Sequence, residues 1–150
     1  MTDVIDETLA IAPGSRLDRL RAARPEVRKR TQSSYEALFD PTDEKSLTLG
    51  ERFAIALRVA ESSGSAALAA HYRTRLESLS IGAGEQRWAA IFRHVDLVTR
   101  EPRALSRSDL QALAAAGLDE ATIVTLSQIV SFVAYQVRVA ATLALLGEDA

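Results

Sequence analysis

The segment 120–146 is apolar on nearly every face. Ile123, Leu126, Ile129, Val130, Val133 and Val137 recur at helical spacing, but Val124, Phe132 and Val139 fall between them, so no single stripe holds them all. As a helix it runs about 40 Å at ~1.5 Å per residue. A helix like that needs cover on several sides. The rest of the chain is expected to wrap it, and a second copy is expected to complete the cover, giving a homo-oligomer of at least two chains. Its longest uncharged run, 121–137, is short for a membrane span and contains Ser127, Gln128, Ser131 and Gln136. A core helix is expected, with no membrane partner.

The remaining sequence is helical in character. Strand-like alternation is nearly absent, and the four prolines sit at segment boundaries, so the fold class is read as all-α. A first helix spans 3–11 and ends at Pro13-Gly14. Ser15 caps a second, carrying Leu17 and Leu20, which Pro25 stops. Pro25 then opens a third that runs to about 39, before a loop at Asp40-Pro41-Thr42-Asp43. Thr48-Leu49-Gly50-Glu51 is a capping box and starts a fourth, broken at Ser62-Ser63-Gly64. An Ala-rich fifth spans 65–79, followed by a turn at Ile81-Gly82-Ala83-Gly84. The sixth spans 85–99, with Trp88, Ile91, Phe92 and Val95 inward, and Pro102 ends that region. A short seventh begins at Ser106 and closes at Gly117, and Asp119 caps the last. At 150 residues this is one domain's worth of chain, or one domain with a small extension.

Composition excludes several chemistries. There is no cysteine, so there is no disulfide, thiolate nucleophile or Cys-ligated metal. Two histidines, His71 and His94, leave little for a metal centre, and no helical His-x-x-x-His spacing exists. A set of His71, His94, Asp96 and Glu51 is the most that can be assembled, and no metal or other cofactor is expected. The net charge of -2 argues against a protein dominated by a nucleic-acid field. The basic run Arg16, Arg19, Arg21, Arg24, Arg28, Lys29 and Arg30 lacks interleaved aromatics and is broken at Pro25. It reads as a solvated face or as inter-subunit ion pairing, with no nucleic-acid partner. The acidic N-terminus lacks the bases and apolar run of a signal peptide, so a soluble cytoplasmic protein is expected.

Few residues offer chemistry. His71 can serve as a general base or ligand-orienting group, with Glu51 orienting it and Tyr72 beside it. It can equally be a buried histidine with a structural hydrogen bond, and the capping box alone accounts for Glu51. On the last helix Gln128, Ser131, Tyr135 and Arg138 share one face by spacing. They either line a pocket for a small organic ligand, with Arg138 holding an anion, or bond across a subunit interface.

Three stretches, in this order, bear a family likeness. Leu47-Thr48-Leu49-Gly50-Glu51-Arg52-Phe53 resembles a "Leu-Ser-x-x-Glu-Arg-Glu" helix opening. His94-Val95-Asp96-Leu97-Val98-Thr99-Arg100-Glu101-Pro102, followed by Leu110-Gln111-Ala112-Leu113 and Gly117-Leu118, resembles a "Leu-Thr-Arg-x-Pro" turn, short helix and Gly-Leu boundary. Phe132-Val133-Ala134-Tyr135-Gln136-Val137-Arg138-Val139-Ala140 resembles an aromatic-rich helix ending in "Asn-Arg-Val-Ala". Together they resemble the carboxymuconolactone decarboxylase and alkylhydroperoxidase-D-like family, in its peroxidase-related branch. The resemblance implies an alkylhydroperoxidase-D-like helical bundle over 47–150, oligomeric, with 1–46 as an N-terminal helical extension. Redox-active members of that family use Cys-x-x-Cys-x-x-x-His. Counting back from His71, the cysteines would fall at Gly64 and Ala67, which have no sulfur. Peroxide reduction by a dithiol is therefore excluded. Decarboxylase members work without that pair, so the resemblance implies a non-redox small-molecule enzyme or ligand-binding protein, with His71 and Arg138 as its proton-transfer group and anion clamp. The other reading is a non-catalytic structural or partner subunit.

Overall fold

The computed structural model describes residues 3–42, 44, 46–82 and 84–148. Asp3 starts α1 (Val4–Thr8) with a capping box, accepting from the Ile5 and Asp6 amides while Asp6 accepts from the Asp3 N–H at 3.3 Å. The helix stops short of the expected 3–11 because Ala10 turns into the left-handed region at φ 50°. Ser15 caps α2 (Arg16–Ala22), and Pro25 opens α3 (Pro25–Phe39) where its missing N–H costs nothing. The Thr48–Glu51 capping box starts α4 (Leu49–Ser62) as read from sequence. Then come α5 (Ala66–Leu76), α6 (Glu85–Arg100), a 3-10 turn at Pro102–Ala104 that the sequence reading does not contain, α7 (Arg107–Ala115) and α8 (Glu120–Glu148). Gly117 closes α7 at φ 90°, and Asp119 caps α8 by accepting from the Thr122 N–H at 2.8 Å. The fold is all-helical: no strand occurs among the described residues. Asp43 of the first expected loop and Ala83 of the second lie outside them.

The centre of the core is α4. Its Phe53, Ile55, Ala56, Val59 and Ala60 are all buried, and it packs on α5, α6 and α8 at once. Small side chains at Ala54, Ala56 and Ala60 permit that close approach on several sides. Gly50 is required for the same reason: a Cβ there would lie 2.2 Å from the Ser80 carbonyl oxygen. From α8, Leu126, Ile129, Val130 and Val133 enter this core, and from α6, Ile91 and Val95.

Within the chain, then, α8 is covered on one side rather than on several. Its outward face leaves Val124 and Leu145 more than half exposed, at 56% and 65%. By length and hydropathy, with a mean of 1.8 over eighteen residues, it is also the one helix among the described residues long and apolar enough to cross a membrane. A third of that stretch is buried within the chain, where α8 packs against α2, α3, α4, α6 and α7.

Part of the basic run is resolved inside the chain. Arg21 and Arg28 turn inward and hold α1 by its two buried acids: Arg21 pairs with Asp3 and with Asp6 at 2.5 Å, and Arg28 with Asp6 and with Asp18 at 3.1 Å. Arg16 donates to the Leu146 carbonyl at 2.8 Å, and Val4, Ile5 and Ile11 pack on Leu143 of α8. The N-terminal elements are thus fastened to the far end of α8. The expected solvated or inter-subunit role fails for Arg21 and Arg28 because burying Asp3 and Asp6 demands cations from the same chain. Replacing Asp6 with Ala leaves two guanidinium groups facing an empty place, and urea denaturation is expected to register a loss of about 3–5 kcal/mol.

Candidate functional site

A cleft of about 1010 Å³ opens between α1, α3 and α5, and the start of α4 contributes to its wall. That is at the top of the ~300–1,000 Å³ range of ordinary ligand sites. Its aromatic wall is built where helix ends converge. Phe39 ends α3 and Phe53 lies in the second turn of α4, and their rings stack at 5.0 Å with planes 18° apart. Tyr35, one turn before Phe39, places its ring 5.0 Å from Phe39 and 5.7 Å from His71. Tyr35 Oη and His71 Nε2 are 2.9 Å apart, joining α3 to α5 across 36 residues.

This pair is electrically quiet. Burial, and then the nearby Arg75 charge, push the His71 imidazole down from 6.5 to about 4. Burial raises Tyr35 above its usual value; Arg75 opposes that shift and Glu7 adds to it. At neutral pH both groups are uncharged and exchange hydrogen bonds with each other or with a guest. An imidazole titrating near 4 is a weak base at pH 7, so it suits orienting a ligand better than taking a proton from one. The rim is charged. Glu7, Glu36 and Asp40 line the α1–α3 side, and Arg75 lines the α5 side.

The other residues expected at the site lie elsewhere. Glu51 does not orient His71: it is buried at the start of α4, where its carboxylate completes the capping box and pairs with Arg87 at 2.8 Å. Tyr72 does not line the cleft: it is fully buried in the core behind Phe39 and Phe53, with ring centroids 5.4 and 6.2 Å away, and donates its hydroxyl to Gln136 Oε1. Its burial drives its pKa well above the usual value. Gln128, Ser131, Tyr135 and Arg138 do share a face, but it is the outward one. Gln128 and Ser131 are exposed, and line a separate groove of about 760 Å³ with Leu105, Leu110 and Val124. Tyr135 is half-buried and bonds Thr31 Oγ1 at 3.0 Å. Arg138 is exposed, with only its own helix's Ala134 carbonyl at 3.4 Å, and so holds nothing near His71. The polar side chains that α8 does bury are Thr122, bonded to Asp119 in its first turn, and Gln136, whose Nε2 has no partner.

Among the described residues no group of three His, Asp or Glu side chains is placed to hold a metal ion. His94 is buried with Nε2 3.4 Å from Ser127 Oγ, and Asp96 is gripped by Arg58 through contacts of 2.9 and 2.7 Å. Neither faces His71's cleft.

Tyr35, Phe39, Phe53 and Arg75 are the cleft residues that sequence reasoning passed over as site residues. Arg75 was detectable, since it lies one turn after His71 on the same helix. Tyr35 was not, because no local pattern links positions 35 and 71. The class defined by this fold and site is an all-α protein with an open aromatic cleft and a neutral His–Tyr pair. The chain matches no protein-family model and no curated protein.

In an NMR titration the His71 ring signal is expected to move with a midpoint of about 4. Arg75→Gln removes a repelling cation and is expected to raise that midpoint. The unfolded imidazole takes its proton near 6.5 and the folded one near 4, so the unfolded state binds more protons between those values. Stability therefore falls as pH falls through that window, and His71→Gln is expected to flatten the slope.

Proposed function

We propose that this chain is a non-redox small-molecule protein of the carboxymuconolactone decarboxylase type, acting as a ligand-binding protein or enzyme at the His71–Tyr35 cleft. One observation carries the reading: a half-buried, uncharged imidazole bonded to a tyrosine hydroxyl at 2.9 Å in the wall of a ligand-sized cleft. The all-helical architecture and the order of the three sequence stretches support the kinship. The absence of cysteine removes the dithiol route. In this reading the anion-holding group is Arg75 rather than Arg138, because Arg75 lines the same cleft as His71. The packing of α8 against five other helices supports a soluble protein, which in this reading is cytoplasmic.

The test is a small-molecule screen read by the two histidine ring signals. Compounds that bind are expected to move His71 and leave His94 in place, and Ala70→Trp, which fills the cleft from an exposed position, is expected to abolish the shifts. A screen in which nothing moves His71 would refute this reading.

A second reading is favoured by a different observation. The groove between α3, α7 and α8 is lined by eleven residues without one charge, and Val124, Leu105 and Leu110 stand exposed in it. Interface centres are depleted of charge in this way. A structural or partner-subunit role, beginning with self-association, would use that face. In sedimentation velocity, Val124→Glu is then expected to shift the protein to a smaller species.

A further inference from the structure

The cleft's rim carries opposite charges that do not neutralise each other. Among the described residues, Arg75 on α5 has no ion-pair partner, and neither do Glu7 on α1 or Asp40 at the end of α3. Glu36 is bonded only by the Gln32 side-chain amide, at 3.0 Å. Seven acids elsewhere, Asp3, Asp6, Asp18, Glu51, Glu61, Asp96 and Asp109, each have an arginine within the chain. Both rim signs also reach the same place, because Arg75 and Glu7 act in opposite directions on the Tyr35 hydroxyl. The stacked Phe39–Phe53 wall lines the same cleft as both rims.

A guest of one sign fits this arrangement poorly. A monoanion meets Arg75 but sits among three carboxylates, and a monocation meets the carboxylates but sits beside Arg75. Screening limits the comparison to charges within ~8 Å at physiological salt, so the rim decides it and not the distant network around α1. A guest with both signs gains on both rims.

We propose that the cleft takes a small ampholyte, amino-acid-like in its charge pattern: an apolar or aromatic body against Phe39 and Phe53, a carboxylate toward Arg75 and an ammonium toward Glu7 and Asp40. His71 and Tyr35, both neutral hydrogen-bonding groups, face the middle of such a molecule. The inference rests on the reading of the cleft as a ligand site and adds the chemical class of the ligand.

Three probes of matched body separate the charges: L-phenylalanine, 2-phenylethylamine and 3-phenylpropionate, titrated at neutral pH and low salt against the His71 ring signal. Phenylalanine is expected to bind at least about threefold more tightly than either single-charge probe, the worth of one exposed ion pair. Arg75→Gln is expected to erase its advantage over phenylethylamine. Glu7→Gln with Asp40→Asn is expected to erase its advantage over phenylpropionate. These positions are exposed, so the variants keep the fold, and unchanged His94 signals check that. If a single-charge probe moves His71 and binds as tightly as phenylalanine, the ampholyte inference is overturned while the ligand site stands. If none of the three moves His71, the ampholyte inference falls, and the ligand site falls with it only where the wider screen also leaves His71 unmoved.

Discussion

The packing of α8 against α4 removes Leu126, Ile129, Val130 and Val133 from water on one side, and Ile55, Ala56 and Val59 on the other. Each fully buried aliphatic side chain of this size is worth about 1.5–3 kcal/mol. This contact is what the other elements are arranged around. α6 closes a second side of α4 with Ile91 and Val95, α5 a third with Leu68 and Tyr72, and α3 brings Phe39 against Phe53. The alanines of α4 make this crowding possible, and Gly50 lets the Ser80 backbone lie against its first turn. The cleft belongs to the same geometry: α3 and α5 both pack on α4, and all three line it.

Electrostatics divides the molecule in two. Around α1, buried carboxylates are matched by Arg21 and Arg28. Burying unpaired charge costs far more than exposing it, so such a network is held together by the penalty for breaking it rather than by surplus attraction. Its effect is to seat a five-residue helix that would not persist alone, and that helix supplies Glu7 and Thr8 to the cleft. Around the cleft the charges are exposed and unmatched, and each costs little in water. The first arrangement stabilises; the second leaves its charges in water.

The histidine pair shows why a candidate residue and its chemistry are separate questions. His71 does stand in a ligand-sized cleft, but partial burial and Arg75 make it a neutral group of low basicity. Glu51 would have raised its pKa; Tyr35 instead gives it a hydrogen bond without charge. The site is therefore better suited to orientation and recognition than to proton transfer at neutral pH.

Local chemistry sufficed for the helices. Pro25 at an N1 position, the Thr48–Glu51 capping box, Gly117 and Asp119 mark boundaries through backbone groups within four residues, and all four fall where the pattern places them. The all-helical class and the lack of thiol chemistry were legible for the same reason, since each depends on residue identity alone. Which face of α8 turns inward was not legible. With apolar residues all round, the helix has no stripe to declare its orientation, so Gln136 was buried and Gln128, Ser131 and Arg138 turned out by the packing of α4 and α6. Pairing between Tyr35 and His71, Glu51 and Arg87, and Asp6 and Arg28 likewise spans 36, 36 and 22 residues. No spacing rule reaches across such distances, because the separation is closed by burial of apolar side chains that carry no directional preference of their own.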